Sequence, residues 1–240
     1  FGCIAIVYIL QPGITIYVNS DGAQFVDIPE QIWYASLFIG LAGVVDFLDG
    51  FVARLFKATS DMGKQLDSLA DAVTFGVAPG MIIYQLLRMS FAKEQNGLDV
   101  SMVWPAIAFI LPAAAVWRLA TFNLDTTQTF SFRGVPTPAV GLLVASFPLI
   151  YWNVDIEWVR DMLLNRWFLI ALIAVLSTLM VCSVPFLSLK FRDFTLKNNL
   201  PKILLLLIGL IAVLFLKWLA VPVIFIAYVL VSLAFKNKIA

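Results

Sequence analysis

Four aspartates stand in a chain of 240 residues that is 62% hydrophobic: Asp46, Asp49, Asp67 and Asp71, all within the stretch 43–80. An ionised carboxylate at membrane depth costs several kcal/mol unless it is paired, solvated or bound to a cation. At about 100° per residue, Asp46, Asp49, Gly50, Ala53 and Arg54 share one arc of about 140°, and Gly63, Asp67 and Asp71 share about 80° of a second helix. Two helices joined by a short connection can turn these faces together. The chain has no histidine, and its two cysteines, Cys3 and Cys182, have no metal-ligand spacing. A cluster of carboxylate oxygens without imidazole or thiolate suits a hard divalent cation, Mg²⁺ or Mn²⁺. Gly50, Ala53 and Gly63 remove bulk on the same faces, so a ligand or a second backbone can approach closely. Two alternatives stand beside this one. The acids can be solvated helix caps or partners of Arg54 and Lys64. A cation transporter would also bury carboxylates, but would spread them along a pathway.

The elements that must position these acids are membrane helices. Only 13% of residues are charged, against about 25% in soluble domains, and the mean hydropathy is +0.95. Too little charge is present to cover a water-soluble fold of this size, which excludes an ordinary soluble enzyme. The formal net charge of +1 argues against nucleic acid as a partner, because such proteins carry a basic excess or stripe. The sequence predicts an all-α integral membrane protein, a polytopic helical bundle of about eight transmembrane helices. The expected spans are 3–17, 31–48, 66–87, 103–122, 135–152, 167–189, 201–216 and 218–235. The last two read as a tight hairpin, because one helix of that length would overshoot the bilayer. One domain is expected, with 201–240 as a hairpin on a core of 1–200. The chain opens on Phe1 rather than Met, so a missing N-terminal stretch is expected.

Orientation follows the Lys/Arg bias of the loops. Arg88, Lys93, Arg160, Arg166 and Lys217 fall on one side and all other lysines and arginines on the opposite side. The richer side, which includes Arg54, Lys57 and Lys64 beside the aspartates, is expected to be cytoplasmic. Segment 18–30 then lies outside, with Asp21, Asp27 and Glu30. Tryptophans 33, 104, 152, 158, 167 and 218 fall at expected span ends, as an aromatic belt does. The loop from Lys190 to Lys202, with Arg192 and Lys197, either holds anionic lipid headgroups or only sets topology.

The motif DFLDGFVAR, eight residues, then GKQLDSLAD resembles the signature D-x2-D-G-x2-A-R-x8-G-x3-D-x3-D of the CDP-alcohol phosphotransferase family, with every fixed position matched. The resemblance implies a six-helix family core plus the C-terminal hairpin. It implies transfer of a phosphoalcohol from a CDP-linked donor to an acceptor hydroxyl with release of CMP. It places two divalent cations, Mg²⁺ or Mn²⁺, on Asp46, Asp49, Asp67 and Asp71, and makes Asp71 the general base. Asp49, Gly50, Ala53, Arg54, Gly63 and Asp67 are implied to line the cytidine and diphosphate site. A homodimer at the cell membrane, with its site facing the cytoplasm, is also implied. The chemistry agrees: two cations neutralise a diphosphate, and without histidine a carboxylate is the natural base.

The segments Arg118-Leu-Ala-Thr-Phe-Asn123 and Phe132-Arg-Gly-Val-Pro-Thr-Pro138 resemble the branch of the family that takes CDP-diacylglycerol and L-serine. Thr121 and Val135 depart from the usual Arg and Leu. Serine is a zwitterion and needs a cation for its carboxylate. Arg118, Asn123 and Arg133, with Lys64, are the candidates for holding the acceptor or a lipid phosphate. Glycerol 3-phosphate, inositol phosphate or choline are the alternative acceptors. A phosphorylated acceptor would need more cations near the third and fourth spans. Pro136 and Pro138 are expected to shape the start of the fifth span, and Gly76 and Gly80 around Pro79 to form a kink and a close-packing device in the third.

Overall fold

In hydrocarbon a backbone can satisfy its N–H and C=O groups only internally, so long apolar runs fold as helices. The computed structural model describes residues 1–11, 15–18, 22, 24–27, 31–56, 60–93, 101, 103–124, 131–187 and 196–235. Helix α1 (Gly2–Leu10) precedes a two-stranded antiparallel ribbon, β1 (Thr15–Val18) and β2 (Gln24–Asp27), in the register Thr15 to Asp27. Then come α2 (Ile32–Leu55) and α3 (Asp61–Asp71), a π-helical segment (Ala72–Val77) and α4 (Ala78–Ala92). A 3₁₀ turn (Pro105–Phe109) leads into α5 (Ile110–Leu124), followed by β3 (Ser131–Arg133) and α6 (Thr137–Asn153). The chain continues through α7 (Glu157–Leu163), α8 (Arg166–Val181), β4 (Pro185–Leu187), α9 (Leu196–Leu216), a 3₁₀ turn (Lys217–Leu219) and α10 (Ala220–Ala234).

Among the described residues, four helical stretches are long and apolar enough to cross a membrane: Ile32–Gly50, Met62–Ala92, Pro105–Leu124 and Asn199–Ala234. The pair α7 and α8, bent by 64°, makes a fifth if it is one span. The expected first span, 3–17, is not one helix. Helix α1 stops after nine residues, because Gln11-Pro12-Gly13 cannot continue it. The expected sixth span, 167–189, ends at Val181. Val184 precedes a proline and is pushed to extended backbone, and Pro185–Leu187 pairs with Ser131–Arg133. These two short ribbons, with strands of three or four residues, are the non-helical additions to an otherwise helical membrane fold, as expected of an all-α chain. Of the outer segment 18–30, Asp27 lies in β2, while Asp21 and Glu30 lie outside the described residues.

The 36-residue stretch Asn199–Ala234 is folded back on itself. Lys217 takes a φ of 48°, and a Cβ built on Gly209 would lie 3.8 Å from Ile224. Fifteen residues apart in one straight helix, these two would be about 22 Å distant. The outward side of this hairpin is apolar, with Leu206, Leu214 and Phe215 exposed, as a lipid-facing surface requires. Trp33, Trp152 and Trp218 meet around a cavity of about 300 Å³, at the end of the bundle away from Asp46 and Asp49.

The π segment is the hub of the packing. Pro79 lacks the N–H that would bond the Phe75 carbonyl, and just upstream the helix widens, with the Ala78 N–H donating to the Val73 carbonyl. That π turn, rather than a proline kink alone, is the irregularity in the third span. Phe75 is buried at 2% exposure. A Cβ on Gly141 of α6 would sit 2.9 Å from the Phe75 Cα, one on Gly2 of α1 would collide with Thr74, and one on Gly76 would come 3.1 Å from the Ala115 Cβ of α5. Gly80 packs in the same way against Pro112. Small residues thus let three neighbours touch the backbone that immediately follows Asp71. Gly141→Val is expected to cost about 2–3 kcal/mol through overpacking and to lower the thermal midpoint in detergent by several degrees. Gly40→Ala, whose added Cβ meets nothing within 4 Å, is the matched control and should stay within a degree or two.

Candidate functional site

Helix α3 starts where the sequence provides a cap. The Ser60 hydroxyl accepts from the Gly63 N–H at 3.0 Å, satisfying one of the free donors of the first turn. A Cβ on Gly63 would meet that hydroxyl at 3.0 Å, so the missing side chain keeps the capped turn open. From this start, Asp67 and Asp71 recur one turn apart and face back toward the end of α2.

One carboxylate oxygen each from Asp46, Asp49 and Asp67 lie within 4.8 Å of one another. The carboxyl groups of Asp46 and Asp67 are within hydrogen-bonding distance. Asp71, half-buried at the last residue of α3, lies within electrostatic reach of Asp46, Asp67 and Asp49 and of the Arg118 guanidinium. Three of the sequence-predicted quartet therefore converge from two helices, with Asp71 within electrostatic reach of them. Around a Mg²⁺ ion at about 2.1 Å from each oxygen, ligands lie roughly 3 to 4.2 Å apart. Oxygens that all lie within 4.8 Å of one another are close to that spacing. The donors are oxygen only, they are partly open to solvent, and they carry the charge a dication needs, so the residues present fit Mg²⁺ or Mn²⁺.

Gly50 sits on α2 one residue beyond Asp49. The side chains of Ala53 and Arg54 lie outside the described residues, although their backbone continues α2. Lys64 is exposed on α3, and its carbonyl accepts from the Ser68 hydroxyl at 3.1 Å. Of the basic loop, Lys190 and Arg192 lie outside the described residues, as does the side chain of Lys197.

Two of the predicted acceptor residues turn out to be tied to other elements. Asn123, near the end of α5, donates from Nδ2 to the Ser68 Oγ at 2.8 Å. Ser68 lies between Asp67 and Asp71, so this bond joins α5 to the acid-bearing helix. Sequence reasoning missed Ser68, because a serine on a helix carries no signal until its partner is known. Arg118 is buried at 7% exposure. Its Nη1 donates to Thr137 Oγ1 at 3.0 Å, and its guanidinium lies 5.9 Å from the centre of the Phe122 ring. Its Nε is buried with no hydrogen-bond partner among the described residues. Arg133 is exposed on β3. Pro136 caps α6 and Pro138 sits in its first turn, where a missing N–H costs nothing.

The Asn123–Ser68 bond is testable as a pair. Asn123→Ala and Ser68→Ala should each lower turnover a few-fold. The double variant should be no worse than the poorer single one, giving a coupling of about 1 kcal/mol in a double-mutant cycle on kcat/KM. Additive losses would mean that the two side chains act separately.

Known sequences share long stretches with this chain. The chain is 36% identical over 119 residues to the CDP-diacylglycerol--serine O-phosphatidyltransferase of Bacillus subtilis (strain 168), covering 49% of this chain and 61% of that one. It is 42% identical over 103 residues to the enzyme of that name from Helicobacter pylori (strain J99), covering 42% and 40%. It is 39% identical over 125 residues to the one from Saccharomyces cerevisiae (strain S288c), covering 48% and 41%. The chain thus spans about half the length of the curated relatives it matches. The profile of the CDP-alcohol phosphatidyltransferase family matches residues 4–180, which hold all four aspartates and the elements that present them, and the chain belongs to that family.

Proposed function

We propose that this chain transfers the phosphatidyl group of CDP-diacylglycerol to the hydroxyl of L-serine, giving phosphatidylserine and CMP. The observation that carries the reading is the convergence of Asp46, Asp49 and Asp67 within 4.8 Å, with Asp71 beside them. The names of the similar proteins supply the substrates.

Asp46, Asp49, Asp67 and Asp71 would hold two divalent cations, which when bound neutralise the diphosphate and stabilise the leaving CMP. The remaining work falls to the chain. Gly50, Ala53 and Gly63 leave room for the nucleotide beside α2 and α3, and Arg54 pairs with a phosphate oxygen. Arg118 offers a buried guanidinium to an oxyanion of substrate, Arg133 and Lys64 add positive charge, and Asn123 holds α5 against α3 through Ser68. Asp71 takes the proton from the serine hydroxyl as its oxygen attacks the phosphorus that carries diacylglycerol. A new P–O bond to serine forms, the bond to the CMP oxygen breaks, and CMP leaves with the electron pair. This reading needs the acids at the membrane interface, where soluble nucleotide and buried acyl chains meet. The reading takes the family core as six spans followed by the α9–α10 hairpin, in a multi-pass cell-membrane protein with its site on the cytoplasmic side and a homodimeric assembly.

The test is CMP release by purified protein given CDP-diacylglycerol, Mn²⁺ or Mg²⁺, and a panel of alcohols. Serine should support turnover well above glycerol 3-phosphate, inositol phosphate and choline. Release with another alcohol alone would change the acceptor. No release with any would remove the reading, and ion flux without dependence on CDP-diacylglycerol would point to transport.

A further inference from the structure

The α9–α10 hairpin lies beyond the residues that the family profile matches, yet it grips the part of the chain that leads to Arg118. Tyr228 and Ser232, one turn apart on α10, are buried at 8% and 0% exposure. They bond both main-chain groups of Leu187, one from each flanking peptide unit. The Tyr228 hydroxyl donates to the Leu187 carbonyl at 3.1 Å, and the Leu187 N–H donates to the Ser232 Oγ at 3.2 Å. The Tyr228 ring also stacks on Phe186, with centroids 6.1 Å apart, and Phe186 is fully buried. Strand β4 is therefore fixed to α10 through both main-chain groups of Leu187 and the side chain of the residue before it.

From β4 the connection runs to the site. Arg133 pairs with Pro185 in the β3–β4 ribbon. The Gly134 N–H donates to the Val184 carbonyl at 3.0 Å, and the Val135 N–H to the Leu179 carbonyl at 2.9 Å. Gly134 takes a φ of +76°, and a Cβ there would collide with the Met180 carbonyl, so this corner admits glycine only. Two residues after Val135, Thr137 is fully buried and accepts the hydrogen bond from Arg118 Nη1. The Tyr228 hydroxyl itself lies within electrostatic reach of the same guanidinium.

A guanidinium at 7% exposure with an unused donor is expensive by itself. An oxyanion that accepts from the free Nε offsets that cost. We infer that the C-terminal hairpin is a working part of an oxyanion seat at Arg118: Tyr228 and Ser232 are positioning residues that lock the β3–β4 ribbon and Thr137, and so aim the Arg118 guanidinium at a carboxylate or phosphate oxygen of substrate beside Asp71. This rests on the phosphatidyl-transfer reading. The oxyanion comes either from the serine carboxylate or from the lipid diphosphate, and the two sources separate kinetically.

The experiment compares wild type, Tyr228→Phe, Ser232→Ala and Ile226→Ala in lipid nanodiscs. Ile226 is an exposed apolar residue on the same helix and reports any general loosening of the hairpin. For each protein, kcat, KM for serine, KM for CDP-diacylglycerol and the thermal midpoint are measured. Tyr228→Phe is expected to raise one KM about 5–20-fold, with kcat within about 2-fold of wild type. Ile226→Ala should change neither KM. A rise for serine makes the carboxylate the occupant, and a rise for CDP-diacylglycerol makes it the lipid phosphate. Should Tyr228→Phe fail to fold, Ser232→Ala reads the same split. Both KM values unchanged in an active protein would overturn the inference alone, as would losses that simply follow the thermal midpoint in all three variants. A wild type that releases no CMP with any alcohol overturns the phosphatidyl-transfer reading and this inference with it.

Discussion

Asp71→Asn is expected to lower CMP release by about 10³-fold while leaving the protein folded, because in the proposed function it removes the carboxylate that takes the proton from the acceptor hydroxyl. The substitution preserves volume and shape. It also removes one of four like charges gathered on two helices, so repulsion falls and the thermal midpoint should be unchanged or slightly raised. That combination separates chemistry from structure. Asp71 closes α3 and is followed by the π segment, where Gly2, Gly76 and Gly141 bring three helices onto the backbone. A collapse of the fold in Asp71→Asn would show the aspartate to be a packing element instead. Substrate binding is the second readout. With its cation ligands mostly in place, the variant should still take up CDP-diacylglycerol with an affinity within about 10-fold of wild type, since what it loses is proton transfer.

The other large effect is expected at the metal end of the same cluster. Asp46→Asn and Asp67→Asn should each cost about 10²- to 10³-fold in turnover at low Mn²⁺ and shift the half-saturating cation concentration upward by at least about 10-fold. The two side chains are within hydrogen-bonding distance of each other, and each contributes an oxygen to the group that includes Asp49. Removing either leaves two carboxylates where three converged. Raising Mn²⁺ should therefore restore part of the activity, whereas Asp71→Asn should respond little. Rescue of Asp71→Asn alone would reverse the assigned roles.

Much of this site was legible in the sequence because its physics is local. Helical spacing places Asp46 with Asp49 and Asp67 with Asp71, and carboxylates are too costly in an apolar run to be incidental. The Ser60 cap could also have been read, since serine three residues before the N–H it caps is a known helix start. The contacts that reach across the fold could not. Ser68 with Asn123, Arg118 with Thr137, and Leu187 with Tyr228 and Ser232 are separated by 55, 19 and 41–45 positions, and no periodicity encodes them. Arg118 and Asn123 are read from the sequence as candidates for holding the acceptor or a lipid phosphate, but the hydrogen bonds that hold them come from other elements. In the fold, hydropathy located the helices but not their ends. Apolar residues in α1 and around Pro185 are read as span by composition, while proline and the extended backbone before it stop the helix. The π segment likewise leaves no pattern in sequence beyond Pro79.

In the proposed function, four aspartates from α2 and α3 grip divalent cations. Counting bound Mn²⁺ by electron paramagnetic resonance, in detergent-solubilised protein with CMP present, tests it most directly. Two Mn²⁺ per chain are expected for the wild type and fewer than one for the Asp46→Asn, Asp67→Asn double variant, at equal thermal midpoints. Equal Mn²⁺ binding in the two proteins, or none in the wild type, would contradict it.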